Sequence, residues 1–92
     1  MTAETATRVE RIRDTLAAAF APTQLVIEDE SHLHAGHAGA RSGKGHFRIE
    51  IESEAFRGLG PLQRHRAVYA ALDALMQTDI HALSIKATPP PT

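Results

Sequence analysis

The sequence contains no cysteine and no tryptophan, and it has only three phenylalanines and one tyrosine. Without cysteine the chain forms no disulfide and offers no thiolate to a metal ion. It has no apolar run of the roughly eighteen residues that a transmembrane helix needs, and residues 1–10 lack the apolar segment of a signal peptide. We therefore expect a cytoplasmic protein with no membrane association, in which imidazoles or carboxylates would have to bind any metal.

Size and charge narrow the function further. The chain has 92 residues, with ten lysines and arginines against eleven aspartates and glutamates, so it is one small, nearly neutral domain. Such a domain has neither the bulk positive field of a non-specific nucleic-acid binder nor the volume for a large enclosed active site. No nucleophile is paired with a positioned base, and Gly43-Lys44-Gly45 does not open a helix as a P-loop does. We expect a protein that is not an enzyme.

Histidines are concentrated in one segment, residues 32–46, which holds four of the six together with Arg41 and Lys44 and contains no carboxylate. Neutral imidazole is the commonest protein metal ligand, and it titrates near neutral pH. The segment is also rich in glycine and longer than a tight hairpin connection, which is typical of a functional loop. It is interpreted as a loop that meets a metal or an anion, or that acts as a proton switch.

Hydrophobic periodicity predicts three helical segments and three strands. A first helix over residues 3–20 places Val9, Ile12, Leu16 and Phe20 on one face and ends before Pro22. Strands are predicted over residues 25–29 and 46–52, followed by a short helical turn over 53–56, a helix over 61–77, and a third strand after Asp79. In the 61–77 helix the expected buried stripe consists of Leu62, His65, Tyr69, Leu72 and Met76, and in the third strand the shared face consists of His81, Leu83, Ile85 and Ala87.

This order, α-β-β-α-α-β, predicts an α+β domain over residues 1–88 with a three-stranded mixed sheet and helices on one face. The first two strands should be antiparallel, and the second and third, joined through helices, should be parallel. The other sheet face should be solvated and carry Arg48, Glu50, Glu52, Ser84 and Lys86. Thr88 and the prolines after it should not pair in the sheet, and residues 89–92 are expected to form a mobile proline-rich tail.

Several motifs in this order carry a family resemblance: Asp29-Glu30-Ser31-His32, His34-Ala35-Gly36-His37, Gly45-His46-Phe47-Arg48, Gln63-Arg64-His65-Arg66 and Ile80-His81-Ala82-Leu83. From about Leu16 to Pro89 the sequence resembles the BolA family. The resemblance implies a fold similar to type II KH domains and a monothiol glutaredoxin as partner. It further implies a [2Fe-2S] cluster shared with glutaredoxin and glutathione, with no cofactor on this chain alone, and a role in iron or redox regulation.

The same resemblance implies the ligands from this chain. The family's positions correspond to His81 and to His34, which places the chain among the histidine-type members, while His32 and His37 remain alternative loop ligands. Two imidazoles can replace two thiolates on one iron of such a cluster. Spacing alone instead indicates a half-buried histidine at the start of a strand for His81, and a packed core residue for His65.

An alternative is a DNA-binding transcriptional regulator, since family members are also described in that role. Arg64, Arg66 and Lys86 would then contact phosphates. With a glutaredoxin partner, Arg64 and Arg66 would instead contact carboxylates of glutathione or glutaredoxin, and as an ordinary charge run they would form a solvated flank. A KH-type grip is not expected, because the Gly-x-x-Gly spacing falls at residues 36–39, between strands rather than helices. An exposed third-strand edge leaves the chain a monomer or a weak homodimer.

Overall fold

The computed structural model describes residues 7–31 and 45–91. The elements are α1 (Arg8–Phe20), β1 (Gln24–Asp29), β2 (Gly45–Glu52), a 3₁₀ turn (Glu54–Phe56), α2 (Pro61–Ala71), α3 (Asp73–Thr78) and β3 (Ile80–Thr88). The strands form one sheet in the order β1-β2-β3, antiparallel between β1 and β2 and parallel between β2 and β3. The predicted α+β architecture and strand directions are confirmed.

Helix α1 begins later than predicted because Thr7 caps it. Thr7 is extended, with φ −76° and ψ 166°, so the helical conformation starts at Arg8. Its hydroxyl accepts from the Glu10 N–H at 3.1 Å, and the Glu10 carboxylate accepts from the Thr7 N–H at 2.9 Å. This reciprocal capping box satisfies N–H groups that have no partner within the helix. The hydrogen bonds from Thr7 also lower the pKa of the Glu10 carboxyl.

The core lies between the helices and one face of the sheet. Strand β2 alternates fully, with Phe47, Ile49 and Ile51 buried and Arg48 and Glu50 partly exposed on the opposite face. The other strands add Ile27, Ile80 and Ala87 to this core, and the remaining buried side chains come from α1, the 3₁₀ turn, α2 and its C-terminal end: Ile12, Leu16, Phe56, Val68 and Leu72. The predicted core face of β2 and solvated outer face are both confirmed.

The predicted buried stripe of the 61–77 helix is wrong for most of its members. Leu62 is 61 % exposed, Tyr69 is 39 % exposed and His65 is exposed, so His65 does not lie in the helix-sheet interface. The face that packs on the sheet instead carries Arg64, Val68 and Leu72, which recur every four residues. The helix is also divided, because Leu72 leaves helical geometry between α2 and α3.

Strand β3 extends further than expected at its C-terminal end. Thr88 pairs with Glu52, and the Thr88 carbonyl accepts from the Ser53 N–H at 3.0 Å, so the prediction that excluded Thr88 from the sheet is wrong. Beyond the strand, the Pro90 carbonyl accepts from Arg57 Nη2 at 2.7 Å. The mobility predicted for the tail stays a prediction. Within residues 7–31 and 45–91, no helix has the length and apolar character needed to cross a membrane.

Candidate functional site

A register shift in the parallel pair of β2 and β3 determines where His81 lies. Gly45 pairs with Ile80, but the next residue, His46, pairs with Ala82, so His81 is one residue in excess on β3. Such a bulge reverses the in-out alternation and re-aims a side chain. Ile80 is therefore buried and His81 exposed. The prediction that His81 is half-buried on the face of Leu83 is wrong for this reason.

The backbone around this bulge joins the ends of the strands. The His46 carbonyl accepts from the Glu30 N–H at 2.8 Å, which extends the pairing of β1 with β2. The His46 N–H donates to the Ser31 hydroxyl at 3.1 Å, and the Gly45 N–H donates to the Asp79 carbonyl at 2.9 Å. The residues just after β1, at the start of β2 and just before β3 are thus fixed to one another beside His81.

Gly45 allows these segments to approach closely. A Cβ at this position would lie 2.6 Å from Ser31 Oγ and 2.8 Å from Phe47 Cε2, both too short for a carbon atom. Phe47 is almost fully buried, so its ring has little room to move away. Gly45 is therefore required by the packing at the bulge.

His46 and His81 form a ring contact on this edge. Their ring centroids are 5.1 Å apart, with the planes tilted by 46°. His46 is partly buried and alternates with Phe47, so it shares the outer sheet face with Arg48. Sequence reasoning missed this pairing, because simple alternation placed His46 and His81 on opposite faces. A glycine inside a strand pattern is the one sequence signal for such an irregularity.

The other predicted ligands fall in a part of the chain that is not described. His34 and its alternatives His32 and His37 lie outside the described residues. Ser31 is the last described residue before this segment and Gly45 the first after it, and both take part in the hydrogen bonds around the bulge. Across residues 7–31 and 45–91, no three histidine, aspartate or glutamate side chains are grouped to hold a metal ion.

The three cations predicted to contact a partner or nucleic acid do not form one surface. Arg64 is partly buried, and its guanidinium donates to the Leu59 carbonyl at 2.8 Å and to the Ala87 carbonyl at 3.2 Å. Arg66 is exposed on α2, on the helical side of the sheet. Lys86 is exposed on the outer face, where it pairs in register with Glu50. Arg64 fastens α2 to the end of β3.

The outer sheet face beside the two histidines is polar and ion-paired. Arg48 contacts the carboxylates of Glu28 and Glu50, and it lies 3.8 Å from Glu30. The hydrogen bonds to Glu28, which have the larger effect, and the hydrogen bond to Glu50 raise the pKa of the Arg48 guanidinium. A shallow hollow on this face is lined by Glu30, His46, Phe47, Ala82, Leu83 and Ser84. As far as residues 7–31 and 45–91 define it, this hollow is open to solvent.

The fold and this edge define a class of small α+β domain, in which helices cover one face of a mixed three-stranded sheet and a histidine stands exposed at a bulge. The family model for BolA-like protein matches residues 16–91. The chain is 42 % identical over 86 residues to Protein BOLA1, chloroplastic, of Arabidopsis thaliana, and 43 % identical over 79 residues to BolA-like protein 1 of Homo sapiens. These matches cover 90 % and 86 % of this chain.

Solved structures agree with these matches. The structure of BolA1 from Arabidopsis thaliana has a TM-score of 0.79 at 38 % identity, and that of the BolA domain of SufE1 from the same plant has 0.82 at 40 % identity. Each match covers 92 % of this chain and 94 % of the other. The chain belongs to the BolA family. It spans about half the length of the two curated relatives named above, 54 % and 56 %.

Proposed function

We propose that this protein is a non-enzymatic, cytoplasmic adaptor that binds a monothiol glutaredoxin and contributes imidazole ligands to a [2Fe-2S] cluster held between the two proteins. The observation that carries the proposal is the bulge at His81, which turns an imidazole outward on an open sheet edge. Bulges are over-represented next to functional sites because they re-aim side chains. His81 is the ligand position that the family resemblance implies.

The donor set fits a shared centre better than a closed one. A [2Fe-2S] cluster takes four terminal ligands, and imidazoles replace thiolates on only one of the two irons. The chain has no cysteine, and the described residues group no three metal-ligating side chains. A thiol-bearing partner is therefore a chemical requirement of this proposal, which the glutaredoxin cysteine and glutathione would meet.

The position of the edge supports His34 as the second imidazole. Ser31 and Gly45, where residues 32–44 leave and rejoin the sheet, are held together next to His81. His34 is the third residue after Ser31. His32 and His37 stay alternatives on the same stretch of chain. Imidazole ligands are lost on protonation, so we expect such a cluster to be more sensitive to acid than one held only by thiolates.

The test is reconstitution of the cluster in the presence of the partner. Wild-type protein would be mixed with a monothiol glutaredoxin, glutathione, iron and sulfide, and the cluster followed by visible absorbance and circular dichroism. Adding wild type should change the circular dichroism of the glutaredoxin cluster. His81→Ala should abolish that change and His34→Ala should weaken it, whereas His65→Ala, at an exposed helical histidine away from the bulge, should behave as wild type.

Each outcome of this experiment tests a different part of the proposal. A glutaredoxin cluster whose spectrum is unchanged by wild-type protein refutes the adaptor function. A normal response from His81→Ala refutes the role of the bulge while leaving the partner in place. If His34→Ala responds normally and His32→Ala or His37→Ala does not, the loop ligand is one of the alternatives.

A further inference from the structure

We propose that His46 is a positioning residue for His81, holding the imidazole of His81 in place through contact between the two rings. The inference rests on the proposed function only in taking His81 to be a ligand of the cluster. The contact itself belongs to this chain alone. The observation behind it is the ring pair, with centroids 5.1 Å apart and planes tilted by 46°.

The distance and tilt are those of an attractive ring pair. Aromatic rings favour offset or tilted arrangements with centroids about 4.5 to 7 Å apart, over a face-to-face stack. An exposed side chain on an irregular strand position loses conformational freedom when it binds a metal. A neighbouring ring that restricts His81 beforehand removes part of that loss, and so favours binding.

His46 is suited to this task because its own backbone is fixed from two sides. Its N–H donates to Ser31 Oγ at 3.1 Å and its carbonyl accepts from the Glu30 N–H at 2.8 Å. Its side chain is partly buried, whereas that of His81 is exposed. The more buried ring of His46 therefore limits the positions open to the more exposed ring of His81.

The bulge explains why the two rings meet at all. If the register of Phe47 with Leu83 and His46 with Ala82 continued without a shift, His81 would pair with Gly45 and lie on the core face, opposite to His46. Because Gly45 pairs with Ile80 instead, His81 is left over and exposed. The Gly45 N–H bond to the Asp79 carbonyl, at 2.9 Å, fixes the chain two residues before His81. Both rings thus project from backbone segments that are joined to one another by hydrogen bonds.

The first test uses the protein alone and reads the His81 ring by NMR. Ring-proton and ring-nitrogen signals of His81 would be compared between wild type, His46→Phe, His46→Leu and His46→Gln, with His65→Ala as matched control. Loss of the neighbouring ring in His46→Leu and His46→Gln should move the His81 ring-proton signals, while His46→Phe should keep a ring-current shift. Backbone spectra report whether each variant is folded. Both His46→Leu and His46→Gln remove the ring, so the test still works if one of them fails to fold.

The second test measures the concentration of protein needed to change the spectrum of a glutaredoxin cluster. A ring pair of this kind corresponds to an effect of about 2- to 12-fold. His46→Leu and His46→Gln should require about that much more protein than wild type, and His46→Phe should restore most of the difference. His65→Ala should match wild type.

The results separate this inference from the proposed function. Unchanged His81 ring signals in folded His46→Leu overturn the inference whatever the cluster does. A folded His46→Phe that is as weak as His46→Leu also overturns it, because His46 would then act through its nitrogens. If wild type fails to alter the glutaredoxin cluster, the proposed function fails, and the NMR comparison alone decides whether His46 positions His81.

Discussion

Replacing Ser53 by alanine should destabilise the domain far more than its size suggests. Ser53 follows β2 and is fully buried, the one polar side chain among the buried residues described. Its hydroxyl donates to the Phe20 carbonyl at 2.7 Å and accepts from the Ala55 N–H at 3.1 Å. One oxygen thus caps the 3₁₀ turn and satisfies a carbonyl at the end of α1 that has no partner within the helix.

The size of this loss of stability follows from the two backbone groups that Ser53→Ala would leave without a hydrogen-bond partner. A buried donor or acceptor left without a partner costs about 1 to 3 kcal/mol. Ala55 is exposed and water can reach part of its surroundings, so the Phe20 carbonyl should contribute most. We expect a loss of about 2 to 3 kcal/mol in the free energy of unfolding. At about 4 to 8 °C per kcal/mol for a domain of this size, Tm should fall by roughly 10 to 20 °C.

Urea denaturation followed by circular dichroism measures this loss, and the urea slope should stay unchanged if only stability changes. Ser84→Ala is the control, since Ser84 is exposed on the outer sheet face. Its replacement should change the free energy of unfolding by less than about 0.5 kcal/mol. Hydrogen exchange of the Ala55 amide should accelerate in Ser53→Ala. A loss below about 0.5 kcal/mol, with an unchanged slope, would refute the role assigned to this hydroxyl.

Three other predictions follow from the structure. Gly45→Ala should lower stability by about 1 to 3 kcal/mol in urea denaturation, because its Cβ would lie 2.8 Å from the Phe47 ring; wild-type stability would contradict this. The cap hydrogen bonds lower the pKa of Glu10, so its carboxylate stabilises the fold above its ordinary titration range near pH 4.3, and this contribution is lost as the pH falls through the lowered value. As the pH falls from about 7 to about 3, wild type should therefore lose unfolding free energy relative to the non-titrating Glu10→Gln. A difference between the two proteins that stays constant with pH would count against the cap. If the chain binds DNA, affinity should fall steeply with salt and Arg66→Ala should reduce that slope by about one; an affinity that is insensitive to both excludes the alternative.

The element order and the core strand could be predicted because their signals are local. Phe47, Ile49 and Ile51 alternate with charged residues, and this pattern alone fixes which face of β2 is buried. The parallel pairing with β3 follows from the helices between the two strands. The capping box at Thr7 was also readable, because Glu10 follows Thr7 by three residues and the apolar stripe begins only at Val9.

The buried face of α2 could not be predicted from hydrophobicity because a polar residue determines it. Leu62 and Tyr69 are apolar at helical spacing, yet both are exposed. Arg64 points to the sheet instead and donates to carbonyls of residues 59 and 87, one of them far away in sequence. A long-range contact of this kind leaves no local pattern, and a partly buried arginine stem can cover apolar surface as well as a leucine does.

The bulge at His81 was likewise beyond sequence reasoning, and it contradicts one of the two interpretations of that residue. Spacing predicted a half-buried structural histidine, whereas the family resemblance implied a ligand. An irregularity in a parallel ladder sacrifices regular pairing, and here it is supported by Gly45, by the Ser31 hydroxyl and by the Asp79 carbonyl. Local departures from regular structure that are supported in this way are expected at functional sites. The exposed position of His81 follows from that support, so a variant that restored regular pairing should bury the imidazole and remove it from any partner.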